Sequence, residues 1–135
     1  MSPSTSTMQS SNALQNVLLL DAATCVGAGA LMAFGSSFVA GLTAIPAPLL
    51  FWAGLILFPI AALMAYAGLQ ARPPRSIVWL IVLGNIGWMI ASLGVFAFIA
   101  PNALGYVFIL AQAAIVAALA LLEHSAMQRS GAAMA

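Results

Sequence analysis

Four long apolar stretches dominate the hydrophobic pattern of the chain. Each is apolar on every helical face, whereas helices of soluble proteins carry one apolar stripe and an opposite charged face. A membrane-spanning helix takes about 20 residues, and the four stretches meet that length at residues 14–39, 49–70, 76–98 and 103–124. The pattern predicts an all-α polytopic membrane protein with four transmembrane helices in an antiparallel bundle.

Short segments rich in proline and polar residues separate the stretches. Pro46 and Pro48 disfavour helix in the residues before them, and residues 71–75 carry two prolines between two arginines. We expect a transmembrane domain over residues 13–126, with disordered cytoplasmic tails at residues 1–12 and 127–135.

The first helix has a candidate start signal. Asn12 and Gln15 have the spacing of a capping box, in which both side chains satisfy free backbone N–H groups at a helix start. This spacing predicts a helix that begins near Ala13. It continues to Val39 or ends earlier in an interfacial turn.

Composition supports a lipid environment. Apolar residues make up 64% of the 135 residues and charged residues only 4%, whereas soluble proteins carry about 25% charged residues. The net charge of +1 comes without a basic run, which argues against nucleic acid as a partner. The expected partners are the lipid bilayer and a second copy of the chain or another membrane protein.

The three arginines predict an orientation. Short loops that carry Lys or Arg stay in the cytoplasm, so the hairpin with Arg72 and Arg75 is expected there. Four spans then place both termini on the same side, and Arg129 agrees with that placement. We therefore expect a multi-pass protein of the cytoplasmic (inner) membrane with both termini cytoplasmic.

A few polar side chains lie inside the predicted spans, where they are costly and normally face the bundle interior. We define the polar seam as the residues expected on these inner faces: Asp21, Asn85, Trp88, Ser92 and Gln112. Asn85 and Gln112 are expected near mid-membrane, within reach of a shared hydrogen bond. Asp21 is expected to be neutral or paired with Arg72 or Arg75. Glu123 is expected at the interface, in contact with water.

The sequence contains few residues that could bind a metal or a cofactor. His124 is the one histidine and Cys25 the one cysteine, whereas structural zinc takes four ligands and haem needs strong axial ligands. We expect neither a metal nor a cofactor, and we interpret Cys25 as a small packing residue.

Short segments carry a family resemblance. They are Leu18-Leu19-Leu20-Asp21-Ala22-Ala23, Asn85-Ile86-Gly87-Trp88, Pro101-Asn102-Ala103-Leu104-Gly105 and Ala111-Gln112-Ala113. Over roughly residues 17–124, the chain resembles a group of small four-span bacterial integral membrane proteins with no assigned activity. The resemblance implies four helices in a bacterial cytoplasmic membrane. The context of Asp21 differs from that of the Glu in the first span of small multidrug exporters.

Three functions are compatible with the sequence. The leading hypothesis is a non-enzymatic accessory or scaffold protein, because no catalytic constellation is evident. The alternative is a small oligomeric transporter or carrier with a polar path lined by Asp21, Asn85 and Gln112. A lipid-active enzyme ranks third, since catalysis needs an acid and a base within hydrogen-bond reach.

Reporter fusions test the predicted orientation. A fusion after Arg75 is expected to be active only with a cytoplasmic reporter, and a fusion after Ala44 only with a periplasmic one, because arginine-bearing loops are retained inside. Periplasmic activity of the Arg75 fusion would contradict the assignment.

Overall fold

The computed structural model describes residues 5–134, and side chains over residues 12–129. The described range is helical, with connections of a few residues. Its helices are α1 (Thr5–Phe34), α2 (Ser36–Thr43), α3 (Ala47–Gly68), α4 (Arg75–Gly94) and α5 (Ala103–Met134), and a 3-10 turn (Val95–Ala97) follows α4.

Four of these helices are long and apolar enough to cross a membrane. The qualifying segments are Asn12–Phe34, Ala47–Gly68, Arg75–Ala97 and Ala103–Arg129. The predicted all-α fold with four candidate spans is therefore confirmed.

The outer helices are longer than the sequence pattern predicts. α1 begins at Thr5, so the predicted start near Ala13 is wrong. Gln15 does not complete a capping box, because its side-chain amide donates to the backbone carbonyl of Gln70. No proline or glycine stands between Thr5 and Asn12 to end the helix there. α5 likewise continues through most of the predicted tail, to Met134. Residues 1–4 and 135 lie outside the described range.

The first span ends before Val39 in a turn, which is one of the two outcomes expected from the sequence. α1 stops at Phe34, and the short helix α2 follows Gly35. Ala44 then closes α2 in the left-handed conformation, with φ of 58°, which turns the backbone out of the helix. Pro46 precedes α3 in an extended conformation. These residues together reverse the chain between the first two spans.

Packing is uneven around the bundle. α1 packs against both α3 and α5, and α4 packs against α5, but α3 and α4 scarcely touch each other. α1 and α3 approach each other closely, since a Cβ added at Gly54 would lie 2.6 Å from the backbone nitrogen of Ala33 and 2.8 Å from the carbonyl oxygen of Gly29. Such an approach requires residues without side chains.

Asn102 connects the helices at the end of the bundle opposite the arginines. Its side-chain oxygen accepts from the backbone N–H of Gly105 at 2.9 Å and thereby caps α5. Its side-chain amide donates to the carbonyl of Leu42 at 2.9 Å, and its backbone N–H donates to the carbonyl of Thr43 at 3.1 Å. One residue therefore both starts α5 and joins it to the end of α2.

Gly54→Ala tests the close approach of α1 and α3. The added methyl group meets backbone atoms that cannot rotate away, so we expect the protein to lose about 1–3 kcal/mol of stability. Thermal unfolding in detergent measures the loss. Gly84→Ala is the matched control, because nothing lies within 4 Å of its added Cβ; its melting temperature should stay equal or rise. An equal decrease in both variants would contradict the described packing.

Candidate functional site

Three polar side chains from three different spans meet inside the bundle. The amide nitrogen Nδ2 of Asn85 on α4 donates to Oδ2 of Asp21 on α1 at 2.8 Å and to Oε1 of Glu123 on α5 at 2.9 Å. Asp21 is 1% exposed, Asn85 6% and Glu123 0%. We call these three residues the carboxyl–amide cluster.

The direction of helical side chains explains how Glu123 reaches this cluster. Side chains in a helix lean toward its N-terminus, and α5 runs toward the end of the bundle that carries the arginines. Glu123 therefore extends from that end back toward the middle of the bundle, where Asn85 lies. The expectation that Glu123 contacts water at the interface is wrong.

One oxygen of the cluster has no partner. Among the described residues, Oε2 of Glu123 is a buried side-chain oxygen without a hydrogen bond. A buried polar atom left unpaired costs about 1–3 kcal/mol, and more for a charged group. Within residues 12–129, the cluster therefore has one carboxyl oxygen that no donor satisfies while both acids are ionised.

Sulfur atoms lie on one side of the cluster. The Sγ of Cys25, one helical turn after Asp21, lies 3.8 Å from Asp21 Oδ1 and 3.7 Å from the Sδ of Met64 on α3. Cys25 is buried, as expected of a packing residue. Through these contacts α3 covers the cluster with a weakly polar surface.

No arginine neutralises the two acids within residues 12–129. Asp21 bonds to Asn85 rather than to an arginine, so pairing with Arg72 or Arg75, one of the two alternatives expected for Asp21, is wrong. The guanidinium of Arg75 instead lies 3.5 Å from Oε1 of Gln128. A helical residue ten positions from Arg75 is about 15 Å away along the axis, which places Asn85 and its partners beyond a side chain's reach.

The remaining residues of the polar seam form a second polar group, further from the arginines. The indole N–H of Trp88 donates to Oε1 of Gln112 at 2.9 Å, and the Gln112 amide donates to the carbonyl of Ile109 at 3.0 Å. The hydroxyl of Ser92 donates to the carbonyl of Trp88 at 2.7 Å. The predicted hydrogen bond between Asn85 and Gln112 is therefore wrong, because each amide has other partners.

His124 lies at the arginine end of the bundle, next to the cluster in sequence. Its ring packs edge-on against Trp79 with centroids 5.3 Å apart, and its Nε2 lies 3.3 Å from Nε2 of Gln128. Because α5 continues to Met134, His124 lies within the helix, and the sequence-based interpretation of His124 as a helix-end residue is wrong. In the described part of the chain, no three His, Cys, Asp or Glu side chains are grouped so as to hold a metal ion.

The architecture defines a small polytopic membrane protein, with four helices fit to cross a bilayer and polar side chains gathered in their interior. No family model, curated protein or solved structure matches the chain.

A double-mutant cycle tests the carboxyl–amide cluster. Asn85→Leu and Glu123→Leu are each expected to lower stability by up to about 1–2 kcal/mol, and the double variant should lose less than the sum because the same hydrogen bond is removed. Unfolding in detergent measures each cost. The control cycle, Asn85→Leu with Gln112→Leu, should be close to additive since the two amides share no partner. A coupling energy of zero for Asn85 and Glu123 would contradict the described hydrogen bond.

Proposed function

We propose that the protein is a small, non-enzymatic membrane carrier in which the carboxyl–amide cluster binds and releases a proton. The observation that supports this proposal is Oε2 of Glu123, for which the described side chains provide no hydrogen-bond donor, beside a second buried carboxyl group. The leading sequence hypothesis, an accessory or scaffold protein, needs neither acid.

Electrostatics favour a cation at the cluster. Oδ2 of Asp21 and Oε1 of Glu123 accept from the same nitrogen, so the two oxygens are no more than about 6 Å apart, twice a hydrogen-bond length. Two carboxylates at that separation repel each other strongly where the dielectric constant is low. A proton bound by one of the two carboxyl groups removes this repulsion. It also places a hydrogen where Oε2 of Glu123 can take part in a hydrogen bond.

A purely structural role explains the cluster less well. Replacing all members of a buried ion pair or triad by apolar residues of similar volume is often neutral or stabilising, whereas removing a single member is costly. Acidic side chains within membrane spans characteristically mark ion and proton pathways. The two acids are therefore better accounted for by proton binding than by packing.

We also propose a membrane, an orientation and an oligomeric state for this carrier. The family resemblance supports a bacterial cytoplasmic membrane, and the arginines support cytoplasmic termini. A bundle of four helices encloses little volume, which favours a homo-oligomer. The glycines Gly84, Gly87 and Gly94 of α4 face open space and permit another helix to approach closely.

A pH jump tests proton binding without knowledge of the substrate. Proteoliposomes adsorbed to a solid-supported membrane are switched between two pH values, and the transient current is recorded. A proton that enters a site inside the membrane moves charge, so the wild-type protein should give a transient current. Asp21→Asn and Glu123→Gln should each reduce it at least severalfold, because each removes one titratable group.

Thr24→Val is the matched control for this experiment. Thr24 lies on α1 close to Asp21 but is exposed, and its hydroxyl bonds only to its own helix, at the carbonyl of Leu20. The control variant should retain the full transient current. A wild-type current no larger than that of protein-free liposomes would overturn the carrier proposal in favour of the accessory role.

A further inference from the structure

A cavity of about 190 Å³ lies in the half of the bundle away from the arginines. It occupies the gap between α3 and α4, the two neighbouring helices that scarcely touch. Leu49 of α3 and Ala91 of α4 line it and are exposed on the outside of the bundle. The cavity therefore opens sideways, toward the lipid-facing surface.

The walls of the cavity are apolar apart from two polar side chains. Aliphatic and aromatic groups surround it, among them Leu50, Ala53 and Phe108, and the polar contributions come from Ser92 and Gln112, beside the indole of Trp88. An apolar cavity of about 150 Å³ accepts benzene. This cavity therefore has room for one substituted six-membered ring.

The hydrogen bonds of Gln112 fix which group it offers to the cavity. Indole N–H is only a donor, so the atom that accepts from Trp88 is the carbonyl oxygen Oε1. The amide nitrogen carries two hydrogens, of which one is used by the carbonyl of Ile109. Gln112 thus has a second N–H with which to donate to a ligand.

Ser92 offers the complementary group. Its hydroxyl hydrogen is used by the carbonyl of Trp88 at 2.7 Å, so the oxygen of Ser92 is left as an acceptor. A ligand that both accepts from Gln112 and donates to Ser92 satisfies the two polar groups of the wall. A hydroxyl group has this pair of properties, whereas a lipid acyl chain has neither.

We propose that this cavity binds a small, largely apolar molecule of about one ring that carries a hydroxyl group, such as a phenol or a cyclic alcohol, taken up from the bilayer. The site goes beyond the proton-binding cluster and does not depend on it. Trp88 lies one helical turn from Asn85, so the ligand binds next to the cluster.

Quenching of Trp88 fluorescence tests this proposal. Trp52→Phe and Trp79→Phe leave Trp88 as the one tryptophan of the chain. The probes are 4-bromophenol and 4-bromotoluene, which place a hydroxyl or a methyl group on the same ring and carry bromine as a quencher. Quenching by 4-bromophenol should saturate, at an affinity at least about fivefold higher than that of 4-bromotoluene, because one hydrogen bond has a net effect of about fivefold and the hydroxyl group can form two.

Substitutions in and outside the cavity test whether the probes bind there. Ala53→Leu fills the cavity and should abolish saturable quenching, whereas Ala62→Leu, at an exposed position of the same helix, should leave it unchanged. Ser92→Ala removes the acceptor without adding volume, so it should lower the affinity for 4-bromophenol toward that for 4-bromotoluene, while the hydrogen bond from Gln112 remains. Gel filtration and thermal unfolding establish that each variant is folded, and Ser92→Ala serves as the test should Ala53→Leu fail to fold.

The results that would overturn the proposal are distinct. Linear quenching by both probes, unchanged in Ala53→Leu, means that the probes only partition into lipid and that acyl chains occupy the gap. Saturable binding with equal affinity for both probes excludes hydroxyl recognition. Neither result changes the interpretation of the pH-jump experiment, because that experiment uses no ligand and tests the carboxyl–amide cluster rather than the cavity.

Discussion

The amide of Asn85 holds three spans together at one point. Its Nδ2 bonds to Asp21 on α1 and to Glu123 on α5, while its own helix, α4, is mostly exposed. Removing this amide leaves two buried carboxyl groups without a donor in an environment where an unpaired polar group is costly. The position of α4 relative to α1, and the separation of the two acids, therefore depend on one side chain.

α3 is attached by a different kind of contact. Gly29 and Gly54 allow the backbones of α1 and α3 to come close, and dispersion forces at that distance replace hydrogen bonds. α4 has its hydrogen bonds on the side of α5 and α1 instead. Since the two attachments are on different faces of the bundle, α3 and α4 are left apart, and the cavity lies in the gap between them.

The sequence predicts the fold well because uniform apolar runs of membrane length have few alternatives. It also identifies Asp21 and Asn85 as interior residues, because polar groups avoid lipid. Its errors concern the ends of α1 and α5 and the hydrogen-bond partners of the interior side chains. The apolar pattern ends the fourth span at residue 124, but the helix continues to Met134, and the lean of Glu123 toward the helix N-terminus shifts its carboxyl group by several ångströms. Counting residues along a helix predicts the depth of its Cα atoms. The contacts of the carboxyl–amide cluster depend instead on where the ends of the side chains lie.

The hydrogen bonds of Asn85 also bear on how the protein is made. Asp21 precedes Asn85 by 64 residues, and Glu123 follows Asn85 by a further 38. At about 5–20 residues per second, the first helix reaches the translocation machinery several seconds before its partner is synthesised. During that interval the carboxyl group of Asp21 lacks the amide donor that it has in the folded bundle. The carboxyl–amide cluster is thus completed only after the last helix has been synthesised.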